Sequence, residues 1–312
     1  MAGRLGCFFS LITLSIVSAA AWAGTTVPSV ENLFQMSLAG SLAADSMSEE
    51  DSLATADLGE IDRKLNNPLT DLWSLTFQNN TNIHKGDAVD GREVSNNLFF
   101  QPFLPFAIGD NKETMLTFRP VFPLVTNPVF GDPGSGESTD HDTGLGDTQL
   151  LVLAGPNVQT DWVWGFGSTF KFPTATEDTL GVDKYQMGPA GMVFNIGKPW
   201  IYGVLVQHWW SYAGDDDEPD TSQTDIQYTV RYSLPDAWSV GMGPTVSIDW
   251  EEDSDDRYTV PVGLGVTKTV RWGKVPIKLR LETHYSVIRP DDYGNEWVIR
   301  FQFTPVIPNP FK

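Results

Sequence analysis

The sequence predicts an all-β fold: a transmembrane antiparallel β-barrel of about 12 strands, preceded by an export signal and a flexible acidic extension. Three observations carry that prediction. They are a short apolar leader with an A-x-A end, alternation of apolar and polar residues from Asp71 onward, and connections that run long and short in turn.

Arg4 gives the leader a positive charge, residues 5–17 form a short apolar run, and Ala21-Trp22-Ala23 offers a signal-peptidase site. Residues 1–23 are therefore expected to be removed by cleavage after Ala23. The run is too short for a stable membrane helix, and no later stretch approaches the roughly 20 apolar residues one needs. Residues 24–69 are polar, acidic and poor in aromatics, with no strong apolar face. They are expected to form a flexible or loosely docked extension, first of all a solvated spacer. Residues 70–312 are assigned to the barrel.

In that region Ile226, Tyr228, Val230 and Tyr232 alternate with Gln227, Thr229 and Arg231, and Trp297, Ile299, Phe301 and Phe303 alternate with Val298, Arg300 and Gln302. One face suits lipid and the other is mostly polar or tiny. Such stretches lie near 71–80, 95–106, 113–124, 146–155, 161–172, 188–196, 200–212, 223–234, 237–250, 257–270, 274–287 and 295–305, the sixth being the least regular. Their lengths match the roughly 9 to 11 residues of a tilted transmembrane strand, and single-chain bacterial barrels have an even count. The connections 81–94, 125–145, 173–187, 213–222, 251–256 and 288–294 are the long set; 107–112, 156–160, 197–199, 235–236 and 271–273 are the short set. A barrel with both ends at the periplasm keeps its short turns there and its long loops outside. A soluble β-sandwich also alternates, but here aromatics such as Trp162, Trp164, Trp210, Trp238 and Trp297 gather at strand ends, as interfacial girdles do.

Composition excludes some functions. With 20 basic and 40 acidic residues the chain carries −20, which argues against nucleic acid as a partner, because phosphate binding needs a basic face. The one cysteine, Cys7, lies in the leader, so no disulfide is expected to staple the mature chain. The expected partners are outer-membrane lipid and lipopolysaccharide, the barrel assembly machinery and a small-molecule permeant. No cofactor is expected, and a monomer is the default.

Phase along the strands assigns the interior. Arg119, Lys171, Arg231, Lys278, Arg280 and Arg300 fall on the lumen side, as do Asp147, Asp225, Asp249, Glu282, His284 and Glu296. In a narrow lumen these side chains close the pore with internal ion pairs, the default, or line a constriction that selects by charge. Gly241, Gly243, Gly263 and Gly265 share that side on neighbouring strands and leave a wall nearly free of side chains. Such a wall either relieves crowding or makes room for a permeant or a docked N-terminal segment. No Gly-x-Gly pair opens a helix after a strand, so a dinucleotide fold has no support.

The acidic runs 215–218 and 251–253 fall in outer loops. Asp215, Asp216 and Asp217 are the candidates for a metal, against an expectation of none, because the run lacks EF-hand spacing and reads first as a solvated, self-repelling loop. The histidines His84, His141, His208 and His284 show no paired metal spacing. His208 with Ser211 raises an outer-membrane hydrolase, but consecutive phases set the two on opposite faces, so no catalytic residue is expected.

Leu65-Asn-Asn-Pro-Leu-Thr-Asp-Leu-Trp-Ser-Leu-Thr-Phe-Gln-Asn79 resembles the opening of a bacterial outer-membrane family labelled, misleadingly, neuromedin U. That family is similar to the transport proteins of phenol-degradation (meta-pathway) clusters. Gly144-Leu-Gly-Asp147, Pro173-Thr-Ala-Thr176, Ala213-Gly-Asp-Asp216 and Asn295-Glu-Trp297 continue the resemblance in order. It implies a barrel with a transport role and brings no catalytic residues; the hydrophobic or aromatic character of the substrate rests on it alone. Barrel chains usually end on an aromatic residue, whereas here Phe311 is penultimate. The expected function is a channel or transporter for small compounds in the outer membrane of a Gram-negative bacterium. A closed barrel with a structural or surface-binding role is the alternative, and a lipid hydrolase is the third.

Overall fold

The computed structural model describes residues 48–309 except 90, 131–137, 159 and 216; the leader and Phe311 lie outside these residues. The wall begins with β1 (Trp73–Lys85), β2 (Glu93–Ile108), β3 (Thr114–Phe130), β4 (Ser138–Leu145), β5 (Thr148–Pro156), β6 (Trp162–Phe172) and β7 (Lys184–Asn195). The wall continues with β8 (Trp200–Gly214), β9 (Ser222–Ser233), β10 (Trp238–Met242), β11 (Thr245–Asp249), β12 (Tyr258–Trp272), β13 (Val275–Ile288) and β14 (Gly294–Ile307). Both β4 and β5 pair with β3, and both β10 and β11 pair with β9 and β12. Each couple is one interrupted barrel strand, so the wall has twelve. All neighbours are antiparallel, and β14 returns to pair with β1 from Trp73↔Ile307 to Lys85↔Gly294. Closure gives every barrel strand a neighbour on each side, as a bilayer requires.

Burial is inverted relative to a soluble protein. Leu264 is 69% exposed and Trp272 76%, while Arg231 and Glu282 are each 0% exposed. A sandwich would turn its apolar faces inward; here the apolar belt faces out, where lipid covers it.

Two local departures from the expected strands have physical causes. The stretch 237–250 is broken at Gly243-Pro244, after Gly241 adopts φ 154°, because Pro244 has no N–H to place in a ladder. Pairing to β12 stops at Gly241↔Gly265 and resumes at Ser247↔Thr259, which leaves a seam between 242–246 and 260–264. The expected long loop 125–145 is largely hairpin, with β3 and β4 paired from Leu124↔Leu145 to Phe130↔Ser138.

The described part of the acidic extension is not a solvated spacer. It forms α1 (Glu49–Thr55) and α2 (Leu58–Lys64), the second N-capped by Asp57, whose carboxylate accepts from the Glu60 amide at 2.8 Å. Leu53 and Ile61 pack on the inward Val306 near the end of β14, so both helices are seated at the end of the barrel where β1 begins and β14 ends.

Candidate functional site

Antiparallel neighbours set residues of like phase side by side on the inner face. By this means β9, β13 and β14 bring Arg231, Lys278, Arg280, Glu282, His284 and Arg300 together. Glu282 is the hub. Arg231 pairs with its Oε1, and Arg280 Nε lies 3.7 Å from the same oxygen. Arg300 Nη1 is 3.7 Å and His284 Nε2 3.0 Å from Oε2. Three guanidiniums around one carboxylate leave positive charge in excess, inside a chain that is acidic overall.

Part of that excess is answered by α2 and the turn after it. Asp62 lies 3.4 Å from Lys278 Nζ and accepts from Thr269 at 3.2 Å, and Asn66 accepts from Arg280 Nη2 at 3.0 Å. Arg271 donates to the carbonyls of Leu53 and Ala56 at 3.1 and 2.6 Å, and Lys274 pairs with Asp51 at 2.9 Å. On the outer side of α2, the Arg63 guanidinium holds the Glu60 carboxyl below its ordinary value, chiefly by hydrogen bonding. Arg63 also donates to the Ile196 carbonyl at 3.3 Å, tying the helix to the turn after β7.

The four glycines make room for the ion cluster. A Cβ at Gly241 would meet Arg231 Cγ at 2.8 Å, one at Gly263 would meet His284 Cδ2 at 2.5 Å, and one at Gly265 would meet Glu282 Cα at 2.7 Å. Gly243 faces Arg280 Nη1 and Glu282 Oε2 at 3.9 and 4.0 Å, and its carbonyl accepts from Arg300 at 2.7 Å. The space beside these glycines is thus filled by side chains of adjacent strands.

The opposite wall departs from the expected polar interior. Leu151, Leu153, Val163, Met192, Phe194 and Leu205, from β5 to β8, form one buried apolar cluster that also takes in Leu69 of the extension. These strands are apolar on both faces, which is why 188–196 alternates so poorly. A narrow barrel packs its interior as a core, and Leu69 lies against Gly165, where a Cβ would meet its Cδ1 at 3.0 Å. The lumen is therefore two-faced, with apolar residues on one side and charge on the other.

Two cavities lie inside the barrel. The larger, about 440 Å³, is lined by Asn80, Gln149, Gln207, Asp225 and Arg300 among others. The smaller, about 160 Å³, abuts the extension and is lined by Asn66, Pro68, Phe194, Lys278 and Arg280. Gln78, Gln101, Arg119 and Gln227 line both, so they form the neck where the cavities meet. Beyond α2 a third cavity of about 360 Å³ is lined by Glu60, Arg63, Asp71, Asp161 and Lys198. Lys171 donates to Gln223 at 2.8 Å and stands 4.3 Å from the ring centre of the buried Trp209.

Other predicted residues lie apart from this region. Asp249 is exposed at the loop end of β11 and accepts from the Glu251 amide at 3.2 Å. Glu296 pairs with Arg92 of the outer loop at 2.7 Å. Asp147 braces the loop after β6 by accepting from the amides of Thr174 and Val182 at 3.2 and 3.0 Å, so two of the recurring motifs meet in space. Asp215 accepts from the Asp217 amide at 2.9 Å, Asp216 lies outside the described residues, and among the described residues no His/Cys/Asp/Glu group is arranged to hold a metal. His208 bonds Thr224 at 2.8 Å while Ser211 donates to Asp220 at 3.1 Å, so this His and Ser are not paired.

Sequence reasoning missed the glutamines of the neck, although Gln78, Gln101 and Gln227 are in phase with the lumen. It also missed a pair between His84 Nε2 and Ser95 Oγ at 2.8 Å, with Asn82 donating to the same hydroxyl at 3.0 Å. Ser95 is 4% exposed and lines neither lumen cavity, so the contact braces β1 on β2.

No family model matches the sequence, and no curated protein matches it. Among solved structures the chain is similar to an outer-membrane channel from Pseudomonas putida F1, with a TM-score of 0.58 and 15% identity, covering 76% of this chain and 94% of that one. It is also similar to the CymD monoaromatic hydrocarbon channel (TM-score 0.44, 9% identity, 80% and 93% covered). A third likeness is to outer membrane phospholipase A from Escherichia coli (TM-score 0.40, 12% identity, 80% and 98% covered). The first of these likenesses agrees with the strand pairing in giving the chain the fold of an outer-membrane β-barrel.

Proposed function

We propose that the protein is an outer-membrane channel for small molecules, and that hydrophobic or aromatic compounds bearing a polar group are its substrates. The observation that carries this reading is the pair of cavities inside the barrel, which share Gln78, Gln101, Arg119 and Gln227 and are lined by polar and charged side chains with Phe99, Phe103, Val121 and Phe194 among them. A molecule with both characters would leave neither kind of lining unmatched, whereas a bare hydrocarbon would strip water from the lumen amides without replacing their hydrogen bonds. The resemblance of residues 65–79 supports the aromatic class. The seam between β11 and β12 supports exchange with the bilayer side, where the exposed Val262 and Leu264 stand. The reading contains no catalytic step. The docked α1 and α2 favour a narrow passage, and a closed structural barrel is the second reading that they and the Glu282 cluster support.

Planar-bilayer recording tests this directly. The mature chain should give a small single-channel conductance, and deletion of residues 24–69 should raise it several-fold. Absence of conductance in both forms would overturn the channel reading in favour of the closed barrel.

A further inference from the structure

We propose that the neck of the lumen is an anion-binding site centred on Arg119, which takes the carboxylate of a small amphipathic acid. The site rests on the channel reading only in that its ligand would be a permeant. Its existence is a matter of binding.

The lumen cations differ in how they are answered. Arg231, Arg280 and Arg300 surround Glu282, Lys278 faces Asp62, and Lys171 has Gln223 and the Trp209 ring. Arg119 stands apart: among the described residues no carboxylate pairs with it, and its Nε is buried without a hydrogen-bond partner. A guanidinium carries five N–H donors in a planar fork, and leaving it unanswered inside a protein is costly. It also sits where two cavities meet, so an incoming group can reach it from the larger one.

The surroundings specify the ligand. The planar fork matches a carboxylate through two parallel hydrogen bonds. The amides of Gln78, Gln101 and Gln227 line the same neck and can donate to the remaining lone pairs. Register from Phe100↔Phe122 to Leu104↔Phe118 puts Phe103 opposite Arg119 on the next strand. Phe103 and Phe194 line the smaller cavity, and Phe99 and Val121 the larger, so apolar surface flanks the cation on both sides. A ring or short chain attached to the carboxylate would lie on that surface. The larger cavity, about 440 Å³, falls within the range of small-molecule sites, roughly 300–1,000 Å³.

Calorimetric titration of the folded mature chain in lipid nanodiscs tests the site, with benzoate as probe, hexanoate as the aliphatic acid and benzamide as the uncharged isostere. Benzoate should bind at least about tenfold more tightly than benzamide, as expected for charge-assisted bonds. Arg119→Gln should lower benzoate affinity to the benzamide level, and Arg119→Lys should keep part of it. Folding of each variant is checked by its shift on gels run boiled and unboiled. Equal binding of benzoate and benzamide, or unchanged affinity in R119Q, would overturn the proposal, and the first comparison stands even where R119Q does not fold. Arg119-dependent binding without conductance would sink the channel reading and leave the site. Conductance without benzoate binding would do the reverse.

Discussion

Replacing Glu282 by Gln keeps the size of the side chain and removes the carboxylate that Arg231, Arg280 and Arg300 share. At 3.7 Å and an effective dielectric of about 20, Arg280 and Arg300 each interact with it by roughly 4.5 kcal/mol. Desolvation offsets much of that gain, and breaking a buried ion pair by removing one partner costs about 3–5 kcal/mol in practice. The E282Q variant leaves three cations facing one another, so we expect a loss at the upper end of that range. The assay is the urea midpoint for conversion of the compact gel form to the boiled mobility. Adding Arg231→Met to E282Q should recover part of the loss, because one repelling charge is gone. A midpoint within about 1 kcal/mol of the parent would mean that the cluster is screened like a surface pair. The picture of a dry, side-chain-filled wall would then be wrong.

Three further outcomes follow from the same geometry. Gly265→Ala should destabilise the barrel by about 1–3 kcal/mol in that urea assay, because its Cβ would lie 2.7 Å from Glu282 Cα, whereas Gly191→Ala, whose nearest neighbour is at 3.9 Å, should be nearly silent. Asp62→Ala takes the carboxylate from Lys278 and should raise bilayer conductance toward that of the 24–69 deletion; unchanged conductance would show that another contact holds α2. Because Arg63 depresses the Glu60 carboxyl, its contribution to α2 is complete above the unfolded value of about pH 4.3 and is lost as pH falls through the lower folded value. A nitroxide on Gly59→Cys should gain mobility slightly below that pH, and E60Q should lack the step; the pair is part-exposed, so the effect is a few tenths to about 1 kcal/mol.

Strand number was legible because a barrel wall is a local object: alternation sets which side chains face out, and short connections set which strands are neighbours. The break at Gly243-Pro244 was not legible, because Pro244 falls in phase with the apolar row and 237–250 reads as one alternating strand. The apolar inner wall of β5 to β8 was not legible, because residues apolar on both faces lose the alternation by which the interior is recognised. The docking of α1 and α2 was hidden for a different reason. It depends on Asp62 and Asn66 meeting Lys278 and Arg280 more than two hundred positions later. Leu53, Ile61 and Leu69 are spaced too irregularly to announce a face.

The overall charge of −20 does not describe the interior. The carboxylates of Asp215, Asp217, Glu218, Glu251, Glu252 and Asp253 sit in exposed loops, where water solvates them, while the cations gather inside. Placed in the lumen, a cation needs a partner, and each partner then has a structural consequence. Glu282 has Gly243 and Gly265 beside it, and Lys278 meets Asp62 on a helix from the extension. Arg119 has no carboxylate partner among the described residues, and it lines both cavities. If benzoate binds there, the lumen selects by charge through one residue that both cavities share.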